Sequence, residues 1–218
     1  MEKPKKIRVN SEKWVVDNCI KVFNEEGLDL TLNEIAKHLQ VSRGKINYYF
    51  QTKEELLIAI AKEYEKALVL IQAEHVFNDK DDFIFQMFQL YSKIMDNQYK
   101  FRCAIIYTTG TSNSRKDMVR QINSSYKNSK ERILVMTQNL VQMGLLKETV
   151  LDPPVFDVFN YQFVNLFTTW VIQLEIYDKT EGYDQMKPIY LQGIANCYWI
   201  YATEVGRNSI DKIPFNDL

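Results

Sequence analysis

Apolar positions recur along the chain with a helical period almost throughout. Val15, Cys19, Val22 and Phe23 fall at i, i+4, i+7 and i+8, which predicts a first helix from about Ser11 to Gly27, with the glycine as its C-terminal stop. Leu32, Ile35, Ala36 and Leu39 form the stripe of a second helix, opened by Thr31-Leu32-Asn33-Glu34 as a capping box. After a short turn, Ser42 is the expected N-cap of a third, short helix. A second T-x-x-E box at Thr52–Glu55 opens a longer helix, with Leu56, Ile60, Tyr64, Ala67 and Ile71 facing inward. Further helices are predicted near Asp81–Asn97 and Tyr99–Tyr107, and a break at Thr108–Ser114. A long helix is expected from about Arg115 to Met143, stopped by Gly144, and another is opened by Asp152-Pro153-Pro154. The last is expected near Asp184–Gly206, with a polar, loose tail beyond. No run of consequence alternates with period two, so the expected class is all-α.

Two stretches break the amphipathic rule. Val158–Leu174 and Pro188–Thr203 carry no charge over 17 and 16 residues. A helix with one buried face carries charge on the other, so these two need burial nearly all round. Packing on a second copy of the chain supplies it; a deeply buried central helix is the alternative. Both runs fall short of the ~20 residues that span a bilayer.

Composition adds asymmetry. The chain has 218 residues, 46% hydrophobic, and a net charge of −1. Residues 1–53 nevertheless hold 10 Lys+Arg against 7 Asp+Glu, a net of +3, which leaves −4 for the remainder. The excess sits mainly in Lys3–Arg8, read as a basic arm. Cys19, Cys103 and Cys197 are widely spaced, without a C-x-x-C pair, which suits a reducing cytoplasm and an apolar role.

The densest chemistry lies in Val41–Phe50, VSRGKINYYF. On a wheel of about 100° per residue, Phe50 falls about 40° from Ile46, so both point inward. Gly44, Lys45, Asn47 and Tyr48 point outward, and Arg43 has the reach to join them. Many charged helical faces are simply solvated. This one also suits a duplex: cations neutralise phosphate, amide and guanidinium groups read base edges, and Gly44 removes a side chain where a helix approaches closely. With the preceding helix it forms a helix-turn-helix over about residues 31–50.

Phe23–Leu57, FNEEGLDLTLNEIAKHLQVSRGKINYYFQTKEELL, resembles the DNA-binding domain of the TetR family of transcriptional regulators. The resemblance rests on Phe23, Gly27, Thr31, Ile35-Ala36, Val41-Ser42, Gly44, Tyr49-Phe50, Lys53 and Leu56, without gaps. It implies a three-helix DNA-binding domain over 1–52 and a larger helical effector-binding and dimerisation domain over 53–218. It implies phosphate contacts from Thr31 and Lys53. Ser42, Arg43, Gly44, Lys45, Asn47 and Tyr48 are then expected at the groove, with Tyr49 near the backbone. The family often has glycine where this chain has Gln40, so Gln40 is expected at positive φ. It usually has tyrosine where this chain has Asn47, which leaves Asn47 to pair with an adenine.

The resemblance further implies a homodimer on a palindromic operator, repression as the usual mode, and release by a small effector that tilts the helix from Lys53 to about His75. The middle helices are crowded with aromatics. Phe88, Tyr91, Phe101, Tyr107, Phe163, Phe167 and Trp170, with Met95 and Met136, are the candidate ligand-binding residues. Taken singly, each is better read as an ordinary core residue; the cavity reading is carried by the group. An apolar or aromatic effector suits such a wall better than a charged one.

The alternative is a helical small-molecule-binding protein or enzyme without DNA binding. Its chemistry is not apparent. His38 and His75 have Ile35 and Gln72 three residues before them, so neither completes the E-x-x-H of a di-iron bundle. No phosphate-binding glycine loop or G-x-S-x-G is present, and no cofactor or metal is expected.

Overall fold

The computed structural model describes residues 11–78, 82–111 and 116–218, with side chains described outside 110–126. The basic run Lys3–Arg8 and part of the expected break at Thr108–Ser114 lie outside the described residues. The described chain is helical: α1 Glu12–Glu26, α2 Leu32–His38, α3 Arg43–Asn47, α4 Lys53–Glu74, α5 Phe83–Lys100, α6 Arg102–Thr111, α7 Lys116–Gln142, α8 Pro153–Ile176, α9 Tyr183–Trp199 and α10 Glu204–Asp211. It divides into two compact units, residues 1–70 with 97–111, and residues 71–96 with 112–218. The first unit is therefore larger than residues 1–52: it takes in most of α4 and all of α6.

In the first unit, local chemistry fixes each helix end. The Ser11 hydroxyl accepts from Trp14 N–H at 3.1 Å, and Gly27, at φ 91°, closes α1 with its N–H on the Phe23 carbonyl. Thr31 and Glu34 form the reciprocal capping box of α2. At the other end of α2, Val41 N–H reaches Ala36 O at 2.9 Å and Gln40 N–H reaches Lys37 O at 3.0 Å. That pairing needs a left-handed residue between, and Gln40 takes the position at φ 54°. Thr52 caps α4 by accepting from Glu55 N–H, but Glu55 reaches back to Gln51 N–H, one residue earlier than a regular box. The core is built from Val15, Cys19, Phe23, Ile35, Ile46, Leu56 and Ile60.

Asn24 of α1 is bonded to both sides of the α5–α6 corner. Its amide nitrogen donates to Lys100 O at 2.8 Å, the last carbonyl of α5, and its amide oxygen accepts from Cys103 N–H at 3.0 Å in the first turn of α6. Arg102 donates to the Asn24 carbonyl at 3.1 Å and lies over the Tyr99 ring. The corner thus sits at Phe101, and α6 continues through Thr108–Thr111 where a break is expected.

The second unit packs α8 against α9. The last predicted helix is in fact two. The chain leaves α9 after Trp199, makes an isolated antiparallel bridge from Ala202 to Leu146, and restarts at α10 with Thr203 as N-cap. The Thr203 hydroxyl accepts from Gly206 N–H and donates to Gly144 O, so one side chain serves two helix ends. The tail is packed rather than loose. Ile210 and Ile213 are buried, Ser209 donates to Asp82 at 2.6 Å, and the Phe215 ring sits 5.6 Å from that of Phe88. Three apolar residues spread among polar ones gave the pattern too little weight to be seen.

Candidate nucleic-acid interface

Recognition chemistry in the first unit centres on α3, a helix of one and a half turns. Ile46 and Phe50 are buried and anchor it to the core, as the wheel requires. Ser42, Arg43, Gly44 and Lys45 are exposed, Tyr48 is 80% exposed, and Asn47 and Tyr49 are half-buried. Tyr48 and Tyr49 meet edge to face, with centroids 4.9 Å apart, so the inner ring supports the outer one. Ser42 holds the N-cap position with extended backbone, but its hydroxyl makes no capping bond; the first bond of the helix is Lys45 N–H to Ser42 O. A Cβ added at Gly44 would meet nothing within 4 Å. Glycine is therefore not required there by any described neighbour.

Several of the predicted contacts have intramolecular partners. Arg43 donates through Nε to Asn47 Oδ1 at 2.8 Å and through Nη1 to Asn33 Oδ1 at 2.9 Å. The first spans one helical turn; the second crosses from α3 to α2. Asn33 is not legible from sequence, since it lies ten residues before Arg43 and belongs to the outer face of α2. The amide oxygen of Asn47 thus accepts from Arg43, which leaves one of its two lone pairs for any base contact.

Thr31 is exposed, and its hydroxyl both accepts from Glu34 N–H and donates to Glu34 Oε2. The Thr31 backbone N–H, which donates to the same oxygen at 2.8 Å, and then the hydroxyl hold the Glu34 carboxyl below its ordinary range. A phosphate at Thr31 would have to displace or share that carboxylate. Lys53 donates to Leu28 O at 2.8 Å, which pins its ammonium beside the turn before α2 and leaves two N–H groups for an anion.

Residues 16–60 match the family described as bacterial regulatory proteins, tetR family. Over those residues the chain is similar to the tetR family. A curated relative, the uncharacterized HTH-type transcriptional regulator YuxN of Bacillus subtilis (strain 168), is 35% identical over 54 residues, which is 24% of this chain and 19% of that protein. The whole chain also has the TetR fold. A TetR-family transcriptional regulator from Marinobacter aquaeolei VT8 superposes with a TM-score of 0.74 at 18% identity, covering 93% of this chain and 96% of that one. The SmeT–triclosan complex superposes at 0.56 with 14% identity, over 88% and 91%. The family is one of transcription regulators, not enzymes. Among the described residues no helix is long and apolar enough to cross a membrane.

Beyond the matched residues, the aromatic candidates separate into three places. Phe88, Tyr91, Phe163 and Phe167 come together in the second unit, with the Tyr91 ring 5.4, 5.6 and 5.2 Å from the other three. Joining them is a residue the sequence did not single out, Tyr198, whose hydroxyl lies 2.7 Å from that of Tyr91. Burial pushes both phenols up, so they stay protonated and serve as a polar pair in an apolar wall. Met95 is fully buried in the same unit and Met136 is half-buried. Trp170 stacks on Tyr183 instead. Phe101 and Tyr107 belong to the first unit, where Phe101 lies 6.0 Å from Tyr64.

Proposed function

We propose that this protein is a ligand-responsive transcriptional regulator of the TetR type that binds a palindromic operator as a homodimer and represses until an effector releases it. The observation that carries the reading is the outward face of α3: exposed cations, an exposed tyrosine and a glycine no described neighbour requires, on a helix anchored by Ile46 and Phe50. Such a face gains affinity by releasing counterions from phosphate and specificity by meeting base edges.

Dimerisation is supported by α8 and α9. Val158, Tyr161 and Leu166 on α8 and Ile189 on α9 are 43–67% exposed in the single chain, on helices with almost no charge to solvate them. Pairing these helices with their copies covers that surface and sets two recognition helices on half-sites about 34 Å apart. The Tyr91–Tyr198 cluster is the proposed effector site. It suits a small apolar or aromatic molecule with one hydroxyl or carbonyl to meet the phenol pair, and the fold is shared with a protein solved as a triclosan complex. The effector acts through α4, which carries residues of both units, and can change DNA affinity only by its own differential affinity for the two states.

Selection of bound sequences from a random duplex pool tests the reading. A palindromic motif bound by a dimer, with affinity falling steeply with salt, is the expected result. A monomer that enriches no motif at low salt would refute it.

A further inference from the structure

The guanidinium of Arg43 on the recognition helix is held by two side chains. Asn47, one turn along α3, accepts from Nε; Asn33, on α2, accepts from Nη1. Both acceptors are neutral amides, so the plane of the guanidinium is set while its full charge is kept. A carboxylate in either place would fix the plane but cancel the charge and repel the duplex. Two of the five N–H donors are used. The two on Nη2 and one on Nη1 remain, enough for a planar fork.

We propose that Arg43 reads one guanine in each half-site through this fork, and that Asn33 and Asn47 are positioning residues for it rather than readers of bases. The inference rests on the DNA-binding reading above. A phosphate contact asks only for charge within reach and is served by any mobile cation. Guanine asks for a planar pair of donors aimed at O6 and N7. Fixing the plane before binding removes the rotamer freedom that a free arginine would lose on contact. The arrangement also accounts for the amide at position 47: a side chain without an acceptor there leaves Nε unheld.

The experiment measures operator affinity for Asn33→Ala, Asn47→Ala, Asn33→Asp and Arg43→Ala, each against a selected operator and variants with single base-pair changes or 7-deazaguanine. Wild type should lose about tenfold or more at one guanine per half-site. Arg43→Ala should bind more weakly and no longer distinguish that base. Asn33→Ala and Asn47→Ala should each lose several-fold of discrimination at that same base pair and none elsewhere. Asn33→Asp keeps an acceptor, so it should retain the guanine preference while binding all operators less tightly.

Three outcomes would overturn the proposal alone. Asn33→Ala could leave base preference intact or lower affinity equally on every operator. Asn47→Ala could relax preference at an adenine instead. Arg43→Ala could leave the guanine preference unchanged. A wild-type protein that selects no motif would instead remove the DNA-binding reading, and this proposal with it.

Discussion

Replacing Gly44 by alanine separates what the fold asks of that position from what a duplex asks. Gly44 is the second residue of α3, outside the group of glycines that take positive φ, and a Cβ there meets open space. Alanine is therefore free of strain and of contact. It lowers the entropy of the unfolded chain and adds helix propensity, worth together about 0.5–1 kcal/mol of stability. For a folding unit of this size that is a rise in Tm of about 2–8 °C. On DNA the same methyl stands on the face that carries Arg43 and Lys45, between the helix backbone and the groove. Holding the helix one methyl further out lengthens every contact of that face, and a loss of about 1.4 kcal/mol or more, tenfold in Kd, is expected. Thermal unfolding and fluorescence anisotropy on the selected operator measure the two effects on one sample. Stabilisation with unchanged operator affinity would refute the close approach of this turn to the duplex. Destabilisation would refute the claim that the position is unconstrained within the chain.

Gly206 is the opposite case, since a Cβ there would run into the Leu145 carbonyl. Gly206→Ala should cost about 1–3 kcal/mol by urea denaturation, and an unchanged midpoint would contradict the close packing of α10. Tyr91→Phe leaves the buried Tyr198 hydroxyl without its partner and should cost about 1–3 kcal/mol, while the double variant with Tyr198→Phe should lose less than the sum of the two single changes. Strict additivity would mean that the 2.7 Å contact carries no energy. Burial pushes the Cys19 and Cys103 thiols up to about 12, from an ordinary value of 9.0. The folded chain then keeps protons that the unfolded chain sheds above pH 9, so stability is full below pH 9 and falls as pH rises toward 12. A denaturation midpoint that is flat between pH 8 and 10.5 would contradict this, as would rapid thiol labelling of the folded protein at pH 8.

Short-range chemistry is what the sequence displayed best. The Thr31–Glu34 box, the Gly27 stop and the left-handed Gln40 each depend on residues within five positions, and each is where the spacing put it. The outward face of α3 was legible for the same reason: Ile46 and Phe50 settle the wheel. What the spacing could not display was reach. Asn33 meets Arg43 across a turn, Thr203 ties two helix ends 59 residues apart, and Tyr198 finds Tyr91 from 107 residues away. The packed tail was missed because Ile210, Ile213 and Phe215 bury a surface that only the folded second unit provides. Phe101 and Tyr107 were grouped with Tyr91 by chain proximity, although the units divide within α5, at residue 96.

Asn24 gives the α5–α6 corner a gauge. A carboxamide is a rigid plane with its oxygen and nitrogen a fixed distance apart, so Lys100 O and Cys103 N–H are held at a set spacing on either side of Phe101. Losing either bond releases one side of the corner from α1. The bend is clasped by a single side chain that belongs to neither arm.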